Sequence, residues 1–361
     1  MRAALRLALR GFGRTSPNPM VGALLVKHGR IIGQGWHRRA GEAHAEIKAL
    51  RDAARKDHDP LGATLYVTLE PCCTHGRTPP CTDAILAAGI KRVVVAATDP
   101  NPKHAGRAYH LLRRKGIEIC HGLLADEATR INEAFNHWIL RRTPFVTVKA
   151  AMTLDGKIAT ASGESKWITS TQSRAHAMKL REGADAILVG VNTVLLDDPA
   201  LTLRRKTGQR GIRRIILDSE ARTPITAQVV SDPFARLTMI VATSAASRRR
   251  VAELSKHVQV LVAPARSGRP DLRWLLHQLG AEGVTNLLVE GGGEVNASFL
   301  LDGLAQRAAF FYAPKILGGH DARHAVAGMG AQSLAEAIQL TDLQWRRLGP
   351  DLLLTARTST A

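Results

Sequence analysis

A histidine, a carboxylate and three thiols fall within forty residues of one another, at His44-Ala45-Glu46, Pro71-Cys72-Cys73 and Pro79-Pro80-Cys81. Imidazole and thiolate are zinc ligands. A catalytic zinc takes three of them and keeps a fourth position for water, whose pKa it lowers toward neutrality. Such a site makes a nucleophile out of water and needs a separate group to move protons. Glu46, two residues beyond the histidine, is free for that work. A closed structural zinc site would need a fourth protein ligand and would leave Glu46 without a task.

The zinc-deaminase signature, HxE with PCxxC, has this content: its Glu does not bind metal but shuttles protons between water, ring nitrogen and leaving ammonia. Here the next cysteine outside the Cys72-Cys73 pair comes nine residues after Cys72, and His75 falls where CxxC would put a thiol. Two ligand sets therefore stand, His44/Cys72/Cys81, which is preferred, and His44/Cys72/His75. Cys73 is outside both.

These groups need a scaffold. Ala43 to Arg55 is Ala-rich with Ile47 and Leu50 at helical spacing, and Ala63 to Leu69 alternates as a strand does. A helix starting near His44 puts His44 and Glu46 on its first turn. The thiols then enter from the loop beyond the strand, broken at Pro71 and again at Pro79-Pro80. Upstream, a helix over Arg2 to Arg10 ends at Gly11 and Gly13. A rigid Pro17-Asn18-Pro19 loop follows, then a hairpin of Val21 to Lys27 and Arg30 to Trp36 turning at His28-Gly29. Lys91 to Ala97 reads as a buried strand, and helix and strand alternate to Cys120, an α/β/α layer pattern. Ala125 to Arg142 reads as one amphipathic helix closed by Thr143-Pro144. The boundary between two domains, 1–143 and 144–361, is placed there, with no Gly/Ser linker to mark it.

In the second half, strands are expected at Val146 to Ala151, Ala186 to Val189, Arg214 to Leu217, Thr238 to Ala242, Val258 to Val262 and Asn286 to Val289, with helices between. Such alternation argues an α/β domain with a mostly parallel sheet covered on both faces. The last of these strands runs into Glu290-Gly291-Gly292-Gly293-Glu294 and a helix over Val295 to Leu301, an arrangement that presents backbone N–H groups to a phosphate. It is not the GxGxxG fingerprint, and no acidic residue at the expected distance suggests a ribose clamp.

A chain of 361 residues is comfortable for two domains. The four cysteines do not describe a disulfide framework, and Cys120, alone in a strand-like run, is expected in the core. No apolar run approaches the roughly 18 to 20 residues of a membrane span, and the N-terminus lacks a signal-peptide core, so a cytoplasmic protein is expected. The net charge of +19 invites a nucleic-acid reading. However, the basic residues are spread along the chain, clustering only briefly at Arg204-Arg205-Lys206, Arg213-Arg214 and Arg248-Arg249-Arg250, and aromatics are too sparse to serve as stacking platforms. Solvated surface charge is the default for most of them, and phosphorylated small ligands also favour a positive field.

The whole constellation reads Thr15-Ser16-Pro17-Asn18-Pro19-Met20-Val21-Gly22, then His44-Ala45-Glu46, then Glu70-Pro71-Cys72-Cys73-Thr74-His75-Gly76-Arg77-Thr78-Pro79-Pro80-Cys81. The second half adds Leu154-Asp155-Gly156-Lys157, Ser162 to Thr169, Thr193 to Pro199 and Val289-Glu290-Gly291-Gly292. Over nearly its full length the chain resembles the bifunctional riboflavin-biosynthesis deaminase/reductase family. The long spacing between the cysteine ligands is that family's own, so the resemblance implies zinc on His44, Cys72 and Cys81 with Glu46 as catalytic residue. Many members have Ser-His where this chain has Cys73-Thr74.

The resemblance also implies a cytidine-deaminase-like sandwich followed by a dihydrofolate-reductase-like domain using NADPH. Ala151, Trp167, Thr193, Asp197, Ser219, Gly292 and Gly293 would contact the nucleotide. Ser165, Arg181, Leu201, Arg204 and Glu290 would line the substrate site, with Arg181 and Arg204 suited to its phosphate. The bland alternatives are a core role for Trp167, solvated charge for Arg181 and Arg204, and a cap for Asp197.

The implied reactions are zinc-dependent deamination of 2,5-diamino-6-ribosylamino-4(3H)-pyrimidinone 5′-phosphate to 5-amino-6-ribosylaminouracil 5′-phosphate, then NADPH reduction of ribosyl to ribityl. The expected partner is that small phosphorylated pyrimidine, with no nucleic acid and no membrane, in a homo-oligomer. The alternative, a zinc-dependent base deaminase acting on tRNA, explains the His-x-Glu and Pro-Cys pieces but neither the second domain nor the long cysteine spacing.

Overall fold

The computed structural model describes residues 1–75, 79–205 and 208–358, so Gly76, Arg77 and Thr78 of the cysteine motif, and Lys206, lie outside the described residues. The chain divides into two compact units, Met1–Arg142 and Thr143–Ala361.

The first unit runs α1 (Arg2–Ala8), β1 (Gly22–Lys27), β2 (Arg30–Trp36), α2 (Ala45–Arg55), β3 (Thr64–Leu69), α3 (Cys81–Ala87), β4 (Arg92–Ala97), α4 (Arg107–Arg114), β5 (Glu118–His121), α5 (Ala125–Ile131) and α6 (Glu133–Arg141). Its sheet has the order β2-β1-β3-β4-β5. β1 is antiparallel to β2 and β3, while β3, β4 and β5 run parallel. The hairpin turns at His28 and Gly29, both with positive φ, as a tight two-residue turn requires. One face of the sheet buries Leu25, Leu65, Val67, Val93 and Val95 against Ala45, Ala49 and Ala53 of α2, Ile85 of α3 and Leu112 of α4. The other face carries α1 and α5 through Leu5, Leu7 and Ala128. The alanine run of α2 and the glycines of β2 belong together, because a Cβ on Gly35 would meet the Ala45 carbonyl at 2.3 Å. That close approach sets the start of α2, and with it His44, against the sheet.

Three local expectations fail here for physical reasons. Ala125 to Arg142 is not one helix: it breaks at Asn132, which is buried, and whose side chain accepts from Met20 N (2.8 Å) and donates to Met20 O (2.9 Å). A continuous α-helix would forgo that two-point contact. Cys81 is not a loop residue but the first residue of α3, following the Pro79-Pro80 break. Cys120 is half-buried on the last strand, where Arg92 Nη2 donates to its sulfur at 3.3 Å, so it is not a core residue.

In the second unit the elements are β6 (Phe145–Thr153), β7 (Lys157–Ala159), α7 (Thr171–Gly183), β8 (Ala186–Gly190), α8 (Val191–Asp197), β9 (Leu203–Arg205), β10 (Gly208–Arg210), β11 (Arg213–Leu217), α9 (Gln228–Ser231), β12 (Thr238–Ala242), α10 (Arg248–Leu254) and β13 (Gln259–Val262). They continue with β14 (Ala265–Arg266), β15 (Arg269–Pro270), α11 (Leu272–Ala281), β16 (Asn286–Val289), α12 (Gly293–Leu301), β17 (Arg307–Ala313), β18 (Arg323–His324), β19 (Leu340–Leu348) and β20 (Asp351–Thr358). The main sheet has the order β13-β12-β11-β8-β16-β6-β17-β20-β19. It is parallel from β13 to β17, and β20 and β19 close it antiparallel. The parallel strands are near-continuous apolar runs, buried on both faces by two clusters centred on Leu188/Ile215/Phe299 and Ile187/Ile216/Ile240.

The strands after residue 301 escape a periodicity search. β19 is exposed along seven of its nine residues and so shows no apolar face. The Arg213-Arg214 pair also departs from solvated charge. Arg214 is wholly buried, its guanidinium forked onto Asp232 (2.6 and 2.8 Å), with further bonds to Thr238 Oγ1, Ala200 O and Val229 O.

Candidate active sites

His44 is the N-cap residue of α2, with extended backbone (φ −70, ψ 169) and no side-chain capping bond. Its ring turns instead to the thiols. Nδ1 lies 3.3 Å from Cys81 Sγ and 3.5 Å from Cys72 Sγ, and the Cys81 N–H donates to Cys72 Sγ at 3.3 Å. The three ligating atoms all lie within 4.8 Å of one another. Helix start, post-strand loop and second helix start converge on one point. The Cys81 thiol, donating to Cys72 and aided by the His44 ring, holds the Cys72 thiol down to about 4 against the effect of burial. Its own pKa is raised by that same bond and by burial.

Glu46, in the first turn of α2, is 3% exposed. Burial, reinforced by the charge on Cys72, pushes its carboxyl up to about 7. Its Oε2 has no hydrogen-bond partner among the described residues. A buried carboxylate oxygen left open beside a ligand cluster is a place for a polar ligand atom. Two thiols and one imidazole suit zinc with one position left over, so the donor set fits the metal. His75 is exposed and outside this group, and Cys73 Sγ faces His104 Nδ1 at 3.8 Å.

Sequence reasoning missed the groups that brace this cluster. Glu70, buried just before Pro71, accepts from the backbone N–H of Asp99 (3.2 Å), Gly106 (2.8 Å) and Ala108 (3.0 Å), fastening the loop after β4 to the cysteine segment. His37, 2% exposed, packs edge-on against His44 with ring centroids 5.3 Å apart. Burial lowers its pKa, which favours the neutral ring. The only advance signal was a polar residue at the end of an otherwise apolar strand.

In the second unit the expected residues gather at the carboxyl ends of parallel strands, where open α/β sheets bind ligands. Ala151 lies near the end of β6. Thr193 and Asp197 lie on α8 directly after β8, Ser219 follows β11, and Glu290 to Gly293 follow β16. The Ser219 carbonyl accepts from Thr243 N and Oγ1, both at 3.0 Å. Trp167 is 61% exposed, with the Arg174 guanidinium 4.6 Å above its ring, which excludes a core role. Asp197 ends α8 and lies 3.8 Å from Lys166 Nζ. Leu201 is buried with positive φ, Ser165 half-buried and Arg204 exposed on β9.

Within the expected substrate set, Arg181 bonds directly to Glu290. Arg181 Nε and Nη2 donate to its carboxylate (3.0 and 2.6 Å), and Nη1 to Thr202 O (3.3 Å). Arg181 is therefore not simply solvated charge, since three of its five N–H donors are used within the chain. Burial pushes the Glu290 carboxyl up, but the charges of Arg181 and Lys149 and the Arg181 hydrogen bond outweigh it and bring it down to about 2. Lys149, half-buried on β6, was missed, although a lysine inside a buried apolar strand was a readable anomaly. Asp155 of the Leu-Asp-Gly-Lys motif accepts from Thr153 Oγ1, Leu317 N and Gly318 N, a turn-fastening role.

The glycine loop gives a test of fit for a nucleotide. A Cβ on Gly291 would meet Val295 at 2.5 Å, and one on Gly293 would meet the His324 carbonyl at 2.3 Å, so packing alone demands both glycines. Gly292 has nothing within 4 Å of that position, and its φ of −74° suits any residue. It is the N-cap of a nine-residue helix and offers no side-chain cap. Open space in front of uncapped helix N–H groups is a cradle that a phosphate fits and a side chain would fill.

The model of the cytidine and deoxycytidylate deaminase zinc-binding region matches residues 1–97, and that of the RibD C-terminal domain matches residues 144–354. The riboflavin biosynthesis protein RibD of Actinobacillus pleuropneumoniae is 43% identical over 354 residues, covering 98% of this chain and 93% of that one. The Aquifex aeolicus RibD is 44% identical over 354 residues, covering 98% and 96%. Among solved structures, Acinetobacter baumannii RibD superimposes with a TM-score of 0.87 at 35% identity, covering 99% of this chain and 97% of that one. A diaminohydroxyphosphoribosylaminopyrimidine deaminase/5-amino-6-(5-phosphoribosylamino)uracil reductase from Thermotoga maritima gives 0.84 at 35% identity, with the same coverage.

Proposed function

Because the chain belongs to the RibD family of bifunctional riboflavin-biosynthesis enzymes, we propose that its two half-reactions are carried by the residues just described. The chain is a zinc-dependent pyrimidine deaminase and an NADPH-dependent reductase. It converts the diaminopyrimidinone ribosyl phosphate to the aminouracil and then reduces the ribosyl group to ribityl. The base deaminase acting on tRNA is not favoured, since it leaves Thr143–Ala361 without a role.

His44, Cys72 and Cys81 would hold the zinc, which when bound supplies a Lewis acid and a water acidic enough to ionise near neutral pH. Glu46 carries protons. With its carboxyl pushed up to about 7, it can take one proton from water and pass it to the ring nitrogen. It can then take a second from the hydroxyl added to the ring carbon and pass it to the amine, which leaves as ammonia. The single observation behind this assignment is the unpartnered, buried Glu46 oxygen beside three convergent donor atoms.

In the second unit, Gly292 and Gly293 would receive the nucleotide phosphate at the start of α12. Ala151, Trp167, Thr193, Asp197 and Ser219 would complete the cofactor site along the strand ends. NADPH supplies the hydride, and only an opened, imine-like ribose offers it an electrophilic carbon. Glu290, held ionised by Arg181 and Lys149, can accept hydrogen bonds from the sugar hydroxyls. Ser165, Arg181 and Leu201 would line that site, with the exposed Arg204 placed for the substrate phosphate.

No described helix is long and apolar enough to cross a membrane. A cytoplasmic enzyme without nucleic-acid or membrane partners accords with a small phosphorylated substrate. Exposed apolar side chains in the second unit, Met329, Leu334 and Trp345 among them, support a homo-oligomer. Incubating the purified protein with the diaminopyrimidinone phosphate, with and without NADPH, tests the function. Mass analysis should find the aminouracil ribosyl phosphate in both mixtures and the ribityl product only with NADPH. An unchanged substrate in both would refute the assignment.

A further inference from the structure

We propose that Asn132, through a strut of hydrogen bonds that ends one residue before His44, is a positioning residue of the zinc site. The proposal rests on the ligand set assigned above. Asn132 interrupts the chain between α5 and α6, and its buried amide clamps both the N–H and the carbonyl of Met20, 112 residues away. Met20 closes the Pro17-Asn18-Pro19 loop. From that loop Asn18 Nδ2 reaches His37 Nε2 at 3.1 Å, and His37 Nδ1 faces the Ala43 carbonyl at 3.4 Å.

These contacts fix one tautomer. A carbonyl can only accept, so Nδ1 carries the proton and donates to Ala43 O, leaving Nε2 to accept from the Asn18 amide. Ala43 precedes the N-cap histidine, whose own ring meets the His37 ring edge-on. The strut thus acts on His44 twice, through the peptide before it and through its imidazole. Nothing in α2 itself holds that ring, because His44 makes no side-chain cap bond. Outer contacts that orient a ligand typically change metal affinity about 10- to 100-fold when lost.

The test compares Asn132→Ala, Asn18→Ala, the double variant and Leu112→Ala in the full-length protein, by zinc competition against a chromophoric chelator. Leu112 is fully buried in the same unit's core and makes none of the strut's hydrogen bonds, so it serves as a control for destabilisation alone. Zinc affinity should fall about tenfold in Asn132→Ala and in Asn18→Ala. The double variant should fall by no more than either single one, since both cut one path. Leu112→Ala should lower Tm yet bind zinc as wild type does, and the reductase rate should be unchanged in all four.

Wild-type zinc affinity in Asn132→Ala, additive losses in the double variant, or an equal loss in Leu112→Ala would each overturn the strut. Should Asn132→Ala fail to fold, Asn18→Ala, in a half-exposed loop, decides by the same affinity comparison with Leu112→Ala. The ligand assignment fails separately, if Cys81→Ser keeps its zinc.

Discussion

Cys81 sits where a single-atom change separates two ligand sets. Replacing its sulfur by oxygen in Cys81→Ser trades a soft donor for a hard neutral one in a three-donor group. Zinc content, measured by metal analysis, should collapse, and ammonia release with it, while His75→Ala should keep both. The reverse pattern would move the ligand to His75. Glu46→Gln probes the other function, since Gln keeps the shape but cannot carry the proton. Zinc should stay bound and deamination should fall by about 10² to 10⁴; a residual rate within tenfold of wild type would remove Glu46 from the mechanism. Both residues were legible in advance because their meaning lies in local spacing. His37 and Glu70 were not, because what makes them matter is a partner distant in sequence: Asn18 for the first, the loop from Asp99 to Ala108 for the second.

Among the elements, the junction of β16 with α12 offers two adjacent glycines with opposite reasons for being glycine. Gly293→Ala should destabilise the second unit, since its methyl would press on the His324 carbonyl. Gly292→Ala should fold with a Tm close to wild type but raise the KM for NADPH, since it intrudes only on open space. Equal Tm losses in the two variants would show that the space before α12 is packing rather than a cradle. Most helices and the parallel strands up to β16 were readable from period and apolar runs, whereas the parallel β17 was not among the expected strands. The break at Asn132 was not, because its sequence continues a helical pattern and only Met20 explains the interruption. Likewise Arg214 looks like its neighbour Arg213 until Asp232 is seen to meet it inside the core.

At the scale of the whole molecule, the assigned deaminase residues all lie before Arg142 and the assigned reductase residues all after Thr143, so the chemistries should separate. Full-length Glu46→Gln, supplied with the deaminated intermediate, should oxidise NADPH at a near-normal rate, followed as loss of nicotinamide absorbance. No turnover by a folded variant would mean that Glu46 also serves reduction. A segment from Thr143 onward should reduce the same intermediate.

The second unit's strand order has a bearing on how the chain is made. β6 is its first strand, yet both of its neighbours in the sheet, β16 and β17, come near the end of the chain. At about 5–20 residues per second of synthesis, β6 emerges from the ribosome and waits on the order of ten seconds for a strand to pair with. Over that interval the apolar run Phe145-Val146-Thr147-Val148 lacks both of its sheet partners. β8, β11, β12 and β13 can pair with one another before then, but β6 joins the sheet only through contacts of high sequence separation, so the parallel part of the sheet is completed late, once residue 313 has been added.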